Sequence, residues 1–84
     1  MTIRVFGRLR KALAADSIEL QASTVAEALS LLRARLDAHD AEAQAMLERA
    51  VVLVNGRNIA SLRGDQTALG PDDEMTLLQQ VAGG

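Results

Sequence analysis

Val51-Val52-Leu53-Val54-Asn55-Gly56 is the stretch of this chain from which the fold can be read. Val51–Val54 is a continuous run of strand-forming apolar residues. With no polar residue alternating, it is expected to be a central strand covered on both faces. Asn55-Gly56 is the strongest two-residue turn signal, because both residues accept the left-handed backbone that a tight hairpin requires. A return strand is therefore expected over Arg57–Ile59. Gly64-Asp65 and Gly70-Pro71-Asp72-Asp73 mark further turns, and Met75–Leu78 reads as the last strand.

Upstream of that run lies the clearest helix, Thr24–Leu36. Thr24 and Glu27, three residues apart, form a capping box that satisfies backbone donors at the helix start. Val25, Ala28, Leu29, Leu32 and Leu36 fall on one stripe, with Arg33 and Arg35 off it. Ala41–Arg49 is a weaker helical segment anchored by Met46 and Leu47. Nearer the start, Thr2–Phe6 alternates as a half-buried strand, and Gly7 interrupts it. Arg8-Leu9-Arg10-Lys11 reads as a basic turn or loop. Ser17–Leu20 is a second short strand, antiparallel to the first. The order of strands around one main helix is an α+β pattern with a mixed sheet, in which the first and last strands lie side by side.

The 84 residues are expected to form one domain over 1–84, with a tail from 79 to 84. A chain this short buries only about 60–65% of its unfolded surface, so a deep catalytic cavity is not expected. Net charge is −2, from nine basic and eleven acidic residues. That balance provides neither a nucleic-acid footprint nor a polybasic membrane-binding run. The lack of cysteine removes disulfides and thiolate metal sites and fits a reducing compartment. Neither a signal-peptide stretch nor a membrane span is visible, so a cytoplasmic location is expected. Phe6 is the only aromatic residue, which argues against base-stacking platforms.

The candidate working group is the end of the chain. Val81-Ala82-Gly83-Gly84 carries little side-chain bulk and can thread a narrow channel in a partner, which makes the terminal carboxylate available for capture. A carboxylate is a poor acyl donor. Joined to AMP as a mixed anhydride, it becomes a good one, and a sulfur nucleophile then yields a thiocarboxylate. With glycine at about 7% of residues, two arise together at a terminus by chance in about 0.5% of chains, so the pair alone does not decide the matter.

The fold pattern and the internal motifs supply the rest. Val5-Phe6-Gly7-Arg8-Leu9-Arg10, Val52-Leu53-Val54-Asn55-Gly56, Asp72-Asp73-Glu74-Met75 and Val81-Ala82-Gly83-Gly84 occur in order along the whole chain. In these residues the sequence resembles the MoaD/ThiS family of β-grasp, ubiquitin-like sulfur carriers, most of all the branch that forms the small subunit of molybdopterin synthase. It departs from the family at Gln79-Gln80, where two prolines are common, and at Asp72, where a glycine is common.

The resemblance implies a carrier with no catalysis of its own and no tightly bound cofactor. A ubiquitin-activating-like adenylyltransferase would spend ATP to adenylate Gly84, and a persulfide sulfur donor would convert the adenylate to a thiocarboxylate. The tail, with Val81, Ala82 and Gly83, would then enter a large molybdopterin synthase subunit and supply dithiolene sulfur. Docking would use an apolar patch beside the tail, for which Leu78, Ile59 and Leu62 are candidates, although all three also suit a core. Arg8 and Arg10 could meet acidic groups on the partner or lie in a solvated loop. Sulfur supply for thiamine thiazole or another metabolite keeps the same chemistry. A ubiquitin-like modifier and a plain interaction module are the readings from other classes.

His39, the only histidine, sits in Asp37-Ala38-His39-Asp40 with no ligand or orienting partner at a motif spacing, and is read as a loop residue. Asp72-Asp73-Glu74 does not match the spacing of a calcium loop and is read as a hydrophilic turn. Ser30 and Ser61 have no histidine at a hydrolase spacing. No metal site is expected.

Overall fold

Five strands form one mixed sheet: β1 (Thr2–Val5), β2 (Ser17–Glu19), β3 (Val51–Val54), β4 (Arg57–Asn58) and β5 (Glu74–Leu78). The computed structural model describes residues 1–79. Val81, Ala82, Gly83 and Gly84, on which the sequence places the carrier chemistry, lie outside the described residues, as does Gln80.

The sheet order is β2-β1-β5-β3-β4. β1 and β5, the first and last strands, are parallel neighbours with Thr2 opposite Glu74 and Val5 opposite Leu77. β2 is antiparallel to β1, and β3 is antiparallel to β5. The central strand is therefore β5. The sequence reading placed Val51–Val54 at the centre with both faces covered, and the structure corrects this. β3 stands one place off centre; Val52 and Val54 are buried, while Val51 and Leu53 are only half-buried on the opposite face. The continuous apolar run reflects a second apolar surface on the outer face of the sheet rather than a second layer.

The turn after β3 is as expected. Asn55 and Gly56 both have positive φ, 50° and 83°, the paired left-handed geometry of a type I′ hairpin. The return strand is shorter than the expected Arg57–Ile59, because Asn58 Oδ1 accepts the Ala60 N–H (2.9 Å) and turns Ile59–Ser61 into a 3₁₀ helix.

Three helices cover the other face. α2 (Val25–Arg33) is the expected main helix. Thr24 caps it, its hydroxyl accepting the Glu27 N–H at 3.2 Å. That is half of the expected capping box. The backbone on either side of Thr24 is tied instead to the segment at 67–69, through Val25 N–H to Thr67 O and Leu69 N–H to Ser23 O. Val25, Ala28, Leu32 and Leu36 are buried, as the stripe implied. The helix ends at Arg33, and single tight turns carry the chain on to Leu36. α3 (Ala41–Glu48) buries Ala43 and Leu47, and Asp40 Oδ1 accepts the Ala43 N–H at its start.

The remaining helix, α1 (Leu9–Leu13), lies where a basic loop was expected. Leu9 and Leu13, one turn apart, are both buried. Five residues cannot hold a helix alone, so this packing stabilises it. Ala14 closes it with φ 56°, and no glycine marks that stop in the sequence. The core joins Ile3, Val5, Met75, Leu77, Val52 and Val54 from the sheet to Leu9, Val25, Leu32 and Leu47 from the helices. Among the described residues, no helix is long and apolar enough to cross a membrane.

Candidate functional site

Side chains alternate along a strand, so the residues between the buried ones share the open face of the sheet. On β5 these are Glu74, Thr76 and Leu78; on β1, Thr2 and Arg4; on β3, Val51 and Leu53. The observed pairings arrange them in rows. Val51 stands opposite Leu78, and Leu53 opposite Thr76. Arg4 lies beside Thr76 on the other side of β5. One further step along the parallel register brings Phe6 beside Leu78, and its N–H donates to Leu77 O at 3.1 Å.

This face is graded. At the far end are Thr2, Glu19 and Glu74, with Arg4 Nε 3.0 Å from Glu74 Oε2. At the end where β5 runs out are Phe6, Leu78 and Val51, with Leu53 one row behind. Phe6 is 45% exposed, the larger exposure of the two large apolar side chains that stand well out of the fold among the described residues. An exposed aromatic in an apolar row, beside the point where the chain leaves the sheet, makes this end of the face the candidate contact surface.

A basic fringe borders the row. Arg8, Arg10 and Lys11 line a shallow depression with Gly7, Ala15 and Asp16. Arg8 Nη2 is 3.2 Å from Glu42 Oε1, and both side chains are largely exposed. Such a pair contributes at most about 1 kcal/mol and can exchange for a partner's carboxylate at little cost. Arg10 Nε donates to Gly7 O at 3.3 Å. The fringe and the row meet at Gln79, the last described residue, whose Oε1 accepts the Arg8 N–H at 2.9 Å.

The expected site residues are therefore divided. Leu78 and Arg8 are at the root of the tail. Ile59 and Leu62 are half-buried and pack against the core, and are not brought onto the face that carries Leu78. Phe6, Val51 and Leu53 were read from the sequence only as strand or core material. Val51–Val54 is apolar throughout, and no signal in the sequence separates its outward residues from its buried ones.

The side candidates have local explanations. His39 is exposed in the connection between α2 and α3, and its N–H donates to Asp37 Oδ1 at 2.8 Å. Asp73 organises a turn: Oδ1 accepts from Asn55 Nδ2 (2.9 Å), and Oδ2 accepts the Gly70 N–H (2.7 Å). The Asn55 bond, with that of Gly70 behind it, holds the Asp73 carboxyl below its ordinary value of 3.8. Asn55 Oδ1 in turn accepts the Glu74 N–H, so the hairpin turn is bolted to the start of β5. Among the described residues, no group of three or more His, Cys, Asp or Glu side chains is placed to hold a metal ion.

Among solved structures, the chain is similar to small archaeal modifier protein 1 from Methanosarcina acetivorans. Identity there is 26% and the TM-score 0.78, over 99% of this chain and 94% of that one. It is similar to a chain of the BexX/CysO complex from Amycolatopsis orientalis at 26% identity and TM-score 0.76, over 99% and 98% of the two chains. A chain in the complex of subunits 1 and 2 of molybdopterin-converting factor from Helicobacter pylori shares the fold, at 20% identity and TM-score 0.67, over 99% and 96%. Compared sequence against sequence, no curated protein matches. The ThiS family model matches residues 3–84. With the five-stranded mixed sheet and its helical cover, that match over nearly the whole length places the chain in the ThiS family of β-grasp, ubiquitin-like sulfur carriers.

Proposed function

We propose that this protein carries sulfur as a thiocarboxylate on Gly84 and delivers it within a molybdopterin synthase as the small subunit. The observation that supports the reading best is the delivery geometry. The central strand β5 leads the chain out of the sheet between Phe6, just past the end of β1, and Val51 on β3, so a partner that grips this apolar row receives the following residues into its own site. The carrier holds the reactive group and the partner supplies the pocket and the acid–base groups.

In the first step the Gly84 carboxylate attacks the α-phosphate of ATP on an activating adenylyltransferase, and pyrophosphate leaves. The terminal sulfur of a persulfide donor then displaces AMP to give an acyl disulfide, and a second thiol of the donor system attacks the donor's own sulfur, forming a disulfide there and releasing the thiocarboxylate for transfer. Phe6, Leu78, Val51 and Leu53 form the row of this chain that docks on both partners, with Arg8 and Arg10 meeting acidic groups at its margin. Val81, Ala82 and Gly83 thread the channel. The Phe6-Gly7 start and the extra helical segment at Ala41–Arg49 favour the molybdopterin branch over thiazole or other sulfur supply.

Intact mass measures the chemistry. Incubated with a ubiquitin-activating-like adenylyltransferase, ATP and a persulfide donor, the full chain gains the mass of one oxygen-to-sulfur exchange, and a chain lacking Gly84 does not. Support of dithiolene formation by the truncated chain would exclude Gly84 as the working group. The 26% identity with a protein named as a modifier favours a second reading, in which the same activated Gly84 is attacked by lysines of other proteins. Isopeptide-linked conjugates in cells, without thiocarboxylate, are the outcome that selects it.

A further inference from the structure

The side chain of Gln79 turns back onto the fold instead of outward. Its Oε1 accepts the Arg8 N–H at 2.9 Å across 71 residues of chain. α1 has no side-chain cap of its own at Arg8, so Gln79 supplies, from the end of the sheet, the acceptor that this helix start lacks. The carboxamide occupies the space that a side chain at position 7 would need. A Cβ on Gly7 would lie 2.8 Å from Gln79 Oε1 and 3.1 Å from Gln79 Cβ. Gly7 also has φ +71°, so glycine is required there both for the turn and for the approach of Gln79. The Phe6 N–H to Leu77 O bond holds the two segments together just before this point.

We infer that Gln79 and Gly7 form a latch, with Gln79 as a positioning residue that fixes the root of the tail against the β1–α1 turn. A side-chain hydrogen bond here does the work that a prolyl ring does elsewhere in the family. The functional half of the inference rests on the carrier reading, and the latch itself does not. Restraining the root before binding lowers the ordering cost that a partner must meet when it takes in the tail. That saving is the same in ground and transition states, so it acts on KM and not on kcat.

The test uses the full chain and the variants Q79A, Q79E, G7A and G7A/Q79A. Amide hydrogen exchange by NMR reads the latch with no partner present. Activation by a ubiquitin-activating-like adenylyltransferase, followed by ATP–pyrophosphate exchange, reads its use. Q79A is expected to speed exchange at Arg8 by about tenfold, with the core amides of Ile3 and Leu77 unchanged. It raises the KM for the carrier by about three- to tenfold with kcat unchanged. Q79E keeps an acceptor oxygen and restores both readouts. G7A expels the carboxamide and reproduces the Q79A exchange at Arg8, and the double variant adds nothing further there. Unchanged Arg8 exchange in Q79A, or a Q79E variant as impaired in KM as Q79A, overturns the latch. A wild-type chain with no ATP-dependent exchange overturns the carrier reading, and the Arg8 measurement then still decides the latch.

Discussion

Replacing Leu77 and Leu78 one at a time by alanine separates the two faces of β5 with the same chemical change at adjacent positions. Leu77 has no exposed surface, and in the core it lies with Val5, the residue opposite it on β1, and with Val52 on β3. Leu78 is half-buried on the open face and stands opposite Val51. Removing a fully buried leucine side chain costs the transfer free energy plus a cavity, about 3–4 kcal/mol at a central site. An 84-residue chain has about 4–13 kcal/mol of stability in total, at about 0.05–0.15 kcal/mol per residue. Leu77→Ala therefore removes a large share of it, while Leu78→Ala, which opens no cavity, costs about 1 kcal/mol or less.

Urea unfolding followed by circular dichroism checks the pair. With a slope of about 1 kcal/mol/M for a chain of this size, the midpoint falls by about 3 M for Leu77→Ala and by about 1 M or less for Leu78→Ala. Activation by the adenylyltransferase shows the inverse ranking. Leu78→Ala lowers kcat/KM while folded, and Leu77→Ala affects it only through the folded fraction. Equal midpoints for the two variants would place Leu78 in the core and remove the row on which the docking surface is built.

Phe6→Ser is expected to weaken capture by the large subunit by about tenfold, as for a central aromatic anchor, with little change in thermal midpoint; calorimetric titration measures it. Asp73→Asn should alter stability selectively with pH. The folded carboxyl titrates below 3.8, so its contribution is fully present above the unfolded value and fades as pH falls through the lower folded value. Thermal midpoints of wild type and variant should thus converge as pH drops below about 4, and a constant gap would refute the assignment. Lys11 is the only lysine, and the Met1 ammonium is engaged with Leu20 O at 2.9 Å. Any self-linked product formed through an activated Gly84 should map to Lys11 by peptide mass and vanish in Lys11→Arg.

What the sequence made legible was whatever depended on local pattern. The Asn55-Gly56 hairpin, the Thr24 cap and the α2 stripe each concern residues within four positions of one another, and each appears where the pattern placed it. The adjacency of the first and last strands followed from general topology. The misses share a different cause. α1 exists only because Leu9 and Leu13 find a core assembled from distant segments, and its left-handed stop falls on Ala14 instead of glycine. The place of β3 in the sheet was misread because an apolar residue facing a helix and one facing a future partner look identical in a sequence. For the same reason the sequence left Ile59 and Leu62 open between a docking patch and the core, against which they pack.

The central place of β5 gives the docking row and the latch one common origin. A final strand at the edge of a sheet leaves beside one neighbour only. Here β5 leaves between two, so the turn that follows β1 contributes Phe6, Gly7 and Arg8 on one side and β3 contributes Val51 on the other. The apolar row, the basic fringe and the Gln79 contact are thus assembled around one point by strand order alone, with little demand on a core too small to build a pocket. A carrier works by presenting its end to more than one partner. On the proposed carrier reading, a docking row set around the exit, rather than on a remote face, makes capture of the fold and alignment of the terminus a single event.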